Sequence, residues 1–81
     1  MKAGANQGLG ILSLQRHEYE EGVRRLELAD KVRPDDKLTL YCLFKGYLLL
    51  ERKSKADEVA QRFLKLEPLG DRANEVRRLD E

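Results

Sequence analysis

Two prolines, Pro34 and Pro68, stand 34 residues apart and frame the chain. Between them run two stretches of helical periodicity, Leu38 to Glu51 and Lys55 to Leu66, divided by a charged turn at Arg52-Lys53-Ser54. Proline stops a helix because it has no amide hydrogen and pushes the preceding residue out of the helical region. The interval therefore reads as helix, turn, helix, stop. A unit of this kind buries its apolar face only against a neighbouring copy, so a period of this length implies stacked helix pairs.

The residues before Pro34 supply the neighbour. Lys2 to Arg16 places Leu9, Leu12 and Ser13 on one helical face and Ile11 and Leu14 on another. Gly4, Gly8 and Gly10 weaken that helix, each by about 1 kcal/mol against alanine, but a glycine in a packing position admits a close neighbour. His17 and Glu18 make a turn. Tyr19 to Val32 carries Tyr19, Val23, Leu26, Ala29 and Val32 on one stripe, with acids in its first turn and Lys31 near its end, as the helix dipole favours. Asp35 and Asp36 offer a cap for the third helix. There Leu40, Leu43, Phe44 and Tyr47 form one stripe and Leu38, Tyr41, Leu48 and Leu49 lie beside it, so more than half its circumference is apolar. In the fourth helix, Ala56, Val59, Ala60, Phe63 and Leu66 face inward, Ser54 is the expected N-cap, and Asp57 and Glu58 fall in the first turn. Asp71 to Glu81 reads as a short helix with Ala73, Val76 and Leu79 on one side.

Composition bounds the function. With 81 residues, 41% hydrophobic and 38% charged, the chain is one small domain of charged-faced helices, not a disordered segment. Sixteen basic residues against fifteen acidic leave a net charge of +1, so no global field draws nucleic acid or an anionic membrane. The longest apolar run, Gly46 to Leu50, is far short of the ~20 residues of a membrane helix, so no membrane insertion is expected. One cysteine, Cys42, and no signal-like N-terminus fit a cytoplasmic protein.

Laying residues 3–36 over 37–70 pairs Leu9 with Leu43, Leu14 with Leu48, Gly22 with Ala56, Lys31 with Lys65 and Pro34 with Pro68. The pattern resembles the tetratricopeptide repeat family over nearly the whole chain. Gly10, Gly22, Ala29 and Pro34 occupy that family's small-residue and proline positions in the first repeat, as Ala56 and Pro68 do in the second. Phe44 departs from it, standing where a small residue is usual. A rival register aligns Gly10-Ile11-Leu12-Ser13-Leu14 with Gly46-Tyr47-Leu48-Leu49-Leu50, a spacing of 36; it sets Lys45 where Leu9 stands, so 34 is preferred. The resemblance implies an all-α fold of antiparallel helix-turn-helix units in an α-α superhelix. Repeat one would span about 3–36 and repeat two about 37–70, with 71–81 as a capping helix or truncated third repeat.

It also implies a groove along the first helices. The family's groove positions fall on Gln7, Ile11, Leu14 and Gln15, then Leu38, Tyr41, Cys42, Lys45, Leu48 and Leu49, then Arg72, Glu75, Val76 and Leu79. Tyr41, Leu48, Ile11 and Leu14 would be the central contacts, with Lys45, Gln7, Gln15 and Arg72 at the rim. Of the positions that grip acidic chaperone tails in some family members, here Gln7, Ile11, Cys42, Arg72 and Val76, only Arg72 is of a suitable type, so no carboxylate clamp is implied. A mostly apolar groove suits an amphipathic helix or extended apolar segment, and in size and groove character the chain is similar to small bacterial tetratricopeptide chaperones of type III secretion. The expected function is a non-catalytic adaptor or chaperone. The same apolar faces equally suit a fragment of a longer repeat array or a self-associating homo-oligomer.

No chemistry-bearing constellation competes with this reading. His17 is the only histidine and lies in a polar turn, so neither a two-histidine metal site nor a Cys/His cluster assembles. Cys42 reads as a packing residue, and the glycines match no phosphate-binding pattern. No cofactor and no enzyme activity are expected. Arg24-Arg25 and Arg77-Arg78 are the weaker candidates for phosphate or nucleic acid, but they are interleaved with glutamates and aspartates.

Overall fold

A computed structural model describes residues 3–80, with side chains from Ala5 to Asp80. Five helices follow one another: α1 (Ala3–Gln15), α2 (Tyr19–Val32), α3 (Lys37–Leu49), α4 (Lys53–Leu66) and α5 (Asp71–Leu79). The first residues of α1, α3 and α5 are 34 apart, and so are those of α2 and α4. The fold is all-α, two antiparallel helix pairs and a closing helix, measuring 31 × 23 × 20 Å. Lys2 and Glu81, the outermost residues of the expected end helices, lie outside the described residues, as does Met1.

The two hairpin turns are copies of each other. In the first, the Glu18 amide donates to the Ser13 carbonyl (2.8 Å) and the His17 amide to that of Leu14 (3.0 Å). In the second, the Arg52 amide donates to Tyr47 (2.8 Å) and Glu51 to Leu48 (3.0 Å). Both are Schellman closures, with His17 (φ 65°) and Glu51 (φ 58°) in the left-handed position where glycine is usual. The second closure corrects the expected turn at Arg52-Lys53-Ser54. It feeds the chain straight into α4 at Lys53, so Ser54 lies inside the helix and makes no cap, and Asp57 and Glu58 fall in the second turn. The cap expected before α3 is present: the Asp36 carboxylate accepts from the Leu38 (3.0 Å) and Thr39 (3.2 Å) amides.

Helix α1 turns a different face inward from the one its leucines suggest. It buries Asn6, Gly10 and Ser13, while Leu9 and Leu12 stay 43% and 40% exposed. The cause lies in α2. A Cβ on Gly10 would stand 2.7 Å from Leu26 Cγ and 3.0 Å from the Gly22 carbonyl oxygen, so the two glycines set a close crossing that fixes the rotation of α1. Gly46 has other neighbours, Val23 on α2 and Leu14 on α1, so Gly10 and Gly46 are not equivalent and the 36-residue register fails.

Under the 34-residue register Phe44 takes the place of Gly10, and it is fully buried. The partners change with it. Gly10 faces Gly22 and Leu26; the corresponding residues in α4 are Ala56 and Ala60, both fully buried in the same core as Phe44. The first pair places its bulk on α2, the second on α3, and an interior of near-crystalline density accommodates either distribution. Around this core Arg62 ties α4 to α2, donating to both oxygens of Asp30 (2.9 and 2.8 Å) and also to Asp35 (3.1 Å).

Candidate functional site: the face of α1, α3 and α5

The first helices of the successive units lie side by side, and Gln7, Tyr41 and Glu75 recur on them at the 34-residue step. Gln7 donates from Nε2 to Thr39 Oγ1 (2.9 Å) and Asp36 Oδ1 (3.1 Å), joining α1 to the start of α3. The Tyr41 hydroxyl donates to Glu75 Oε1, and Lys45 Nζ lies 2.5 Å from Glu75 Oε2. Lys45 Nζ and the Arg72 guanidinium carbon stand 5.3 and 5.0 Å from the Tyr41 ring centre, within cation–π range, and the Phe63 ring lies 5.9 Å away on the inner side. Tyr41 is thus an anchored ring bracketed by two cations and one carboxylate.

Ten of the fourteen groove positions separate in the structure as follows. Tyr41, Lys45 and Arg72 are brought together. Gln7 is held at the α1–α3 junction, and Ile11, Leu38 and Leu48 are half-buried. Leu14, expected as a central contact, is half-buried and packs toward α2 and α3: a methyl group on Gly22 would stand 2.8 Å from its Cδ2, and one on Gly46 3.5 Å away. Gln15 and Leu49 are exposed at corresponding helix ends, Leu49 by 51%. A cleft of about 690 Å³ opens where Leu38 and Arg72 meet Asp35, Asp36, Leu66 and Glu67, which makes that end more polar than expected. Glu75, a groove position implied by the resemblance, is not among the expected contacts, yet it is the acceptor for both Tyr41 and Lys45. The signal was its position one repeat step beyond Tyr41.

The electrostatics follow from these contacts. The Lys45 ammonium, and next the Tyr41 hydroxyl, hold the Glu75 carboxyl below its ordinary range. The same pairing raises Lys45, while burial, then Glu75, raises Tyr41. Burial pushes the Cys42 thiol up, which keeps it protonated and unreactive at neutral pH. A depressed carboxylate contributes stability above its unfolded value, about 4.3, and loses it as pH falls through the lower folded value. The raised lysine contributes below about 10.4 and loses its share as pH climbs through the folded value. The α3–α5 clasp is therefore intact across neutral pH and opens in acid. In a carboxyl-carbon NMR titration Glu75 should titrate below the ordinary glutamate value, and Glu75→Gln should speed amide exchange in α5 while costing at most about 1 kcal/mol of global stability, because the pair is partly solvated. Titration of Glu75 with the bulk would refute the clasp.

Elsewhere His17 Nδ1 sits 2.7 Å from the Tyr19 hydroxyl in an exposed turn. Among the described residues no group of three or more His, Cys, Asp or Glu side chains is placed to hold a metal ion. Arg24 and Arg25 both bind Glu21, each at 2.7 Å, and Arg77 donates to the Pro68 carbonyl (2.5 Å). No described helix is long and apolar enough to cross a membrane. Compared with known proteins, the chain matches no family model and no curated relative. The fold class, an all-α helical repeat, rests on the geometry itself.

Proposed function

We propose that this chain is a tetratricopeptide-type interaction module, an adaptor or chaperone without chemistry of its own, that holds a partner segment on the α1–α3–α5 face. The supporting observation is the surface of α3 that its own core leaves over. With Leu40, Leu43, Phe44 and Tyr47 buried, Leu38, Tyr41 and Leu48 remain half-open and Leu49 is exposed, beside Ile11 of α1. Apolar side chains gathered around a fixed aromatic ring provide anchor sites for an amphipathic helix or extended apolar segment. Lys45 and Arg72 add a preference for a partner carboxylate next to its apolar anchor. A reducing, cytoplasmic setting suits the unpaired thiol of Cys42.

The test is selection of helical peptides from a displayed library against the purified chain, followed by Tyr41→Glu. Selected peptides should carry an apolar stripe flanked by acid, and Tyr41→Glu should abolish their binding with helicity by circular dichroism unchanged. Binding that survives Tyr41→Glu overturns the reading. A stable dimer that protects this face from exchange would move it to self-association.

A further inference from the structure

We propose a second docking surface, on the end of the molecule formed by α1 and α2, that receives an acidic amphipathic helix from a partner protein. The second repeat shows what this surface is built to receive. There Gly46 and Tyr47 of α3 and Arg62 of α4 face α2, with Leu43 buried in the same core: Val23 meets Gly46, Glu27 accepts from the Tyr47 hydroxyl (2.6 Å) and Asp30 takes Arg62. One repeat earlier the same positions are Leu9, Leu12, Ser13 and Leu28; Ser13 is buried, but no helix lies over the three leucines among the described residues. Leu9, Leu12 and Leu28 are 43%, 40% and 37% exposed, and neighbouring Val32 is 59% exposed.

An independent observation marks the Leu28 side of this surface as a site. A mostly apolar cleft of about 480 Å³ opens between α1 and α2, lined by Asn6, Leu28, Val32 and the cations Arg24, Arg25 and Lys31. Asn6 is only 3% exposed, yet its Oδ1 accepts no hydrogen bond. A buried acceptor without a donor is destabilising and uncommon in native proteins. The corresponding residue of the second repeat is the fully buried Leu40, nearly the same in shape, so the fold itself has no need of an amide there.

The occupant's chemistry follows. Leu9, Leu12 and Leu28 require an apolar stripe, with a small residue opposite Leu12 because the position matches Gly46. Asn6 lines the cleft, and a donor within that stripe would pair its Oδ1 once the side chain turns toward the docked helix. The cleft is lined by three cations and no carboxylate; Arg24 and Arg25 share Glu21, and Lys31 makes no ion pair among the described residues. That excess calls for acidic flanks. It also disfavours a second copy, since a two-fold contact would set these cations against themselves, and the opposite end of the molecule, the outer side of α5, is too charged to fill the stripe.

The probe is a lactam-stapled helix of the length of α1, carrying a leucine stripe with one glutamine in it and glutamate flanks, compared with the same helix flanked by lysine. Amide and methyl NMR of the whole chain should show the glutamate helix shifting Leu9, Leu12, Leu28 and Val32, and the lysine helix shifting nothing. Leu12→Glu should weaken binding about tenfold or more. Asn6→Leu should raise the melting temperature while weakening the probe by about tenfold, the effect of one unmade hydrogen bond. Tyr41→Glu should leave this binding unchanged, which separates the surface from the α3 face. Failure of the glutamate helix to bind, equal binding of both helices, shifts centred on Tyr41, or a concentration-dependent dimer that buries Leu12 would each overturn the proposal.

Discussion

Phe44→Ala should unfold most of the population at physiological temperature. The ring is fully buried, at the centre of a core shared with Leu40, Leu43, Ala60 and Phe63, and truncating a buried phenylalanine costs about 3–5 kcal/mol. At about 0.05–0.15 kcal/mol per residue, a chain of 81 residues has only some 4–12 kcal/mol to lose. The melting temperature should fall by more than about 12 °C, since each kcal/mol corresponds to roughly 4–8 °C in a domain of this size. Ala60→Leu in the Phe44→Ala background should recover part of the loss, because it moves bulk from α3 to α4, the distribution that Gly10 and Leu26 already use in the first pair. A double-mutant cycle should report a favourable coupling of about 0.5–3 kcal/mol. A melting shift of a degree or two for Phe44→Ala would contradict the register in which Phe44 replaces Gly10.

How far the fold could be read from sequence depended on whether the deciding contacts were local. The bounds of Tyr19–Val32 were legible to the residue, because its apolar stripe, acidic start and terminating proline are all local signals, although Val32 at the end of that stripe stays exposed. The start of α4 was misread because Glu51, an ordinary residue, takes a left-handed conformation that sequence gives to glycine, and the apparent cap Ser54 drew the boundary past it. The inward face of α1 was legible only at Gly10, which the repeat resemblance set among the small-residue positions together with Gly22. Leucine and isoleucine surround that helix on most sides, and what selects Asn6, Gly10 and Ser13 is the crossing with Gly22 on another helix.

The candidate site divides the same way. Tyr41, Lys45 and Arg72 came through the repeat step, which carries from one first helix to the next, and that step also places Glu75 beside Tyr41. Leu14 shared its periodicity with the groove but packs between two glycines that contribute no side chain to a pattern search. The end face was invisible for a further reason: an unpartnered acceptor such as Asn6 Oδ1 is a property of geometry, and an asparagine in a helix otherwise reads as a solvated polar residue.

Gly8→Ala and Gly10→Ala, two residues apart on one helix, should change stability in opposite directions. A Cβ on Gly8 meets nothing within 4 Å, so alanine there supplies only its helix preference, a gain of about 1 kcal/mol. At Gly10 the same preference is opposed by contacts of 2.7 Å with Leu26 Cγ and 3.0 Å with the Gly22 carbonyl. Neither can retreat cheaply. Leu26 is fully buried, and the carbonyl belongs to the backbone of α2. Alanine must therefore push α1 away from α2 along the interface that sets the rotation of α1, and overpacking of this kind typically costs about 1–3 kcal/mol. Because the helix preference is common to both, the two variants should differ by the overpacking cost alone, about 1–3 kcal/mol in chemical denaturation, with Gly10→Ala the less stable. Leu26→Ala should relieve the clash in the Gly10→Ala background, so the double variant should be more stable than the sum of the two single losses. Equal gains at both glycines would mean that α1 does not cross α2 at Gly10, and the burial of Asn6 and the exposure of Leu9 and Leu12 would lose their physical basis.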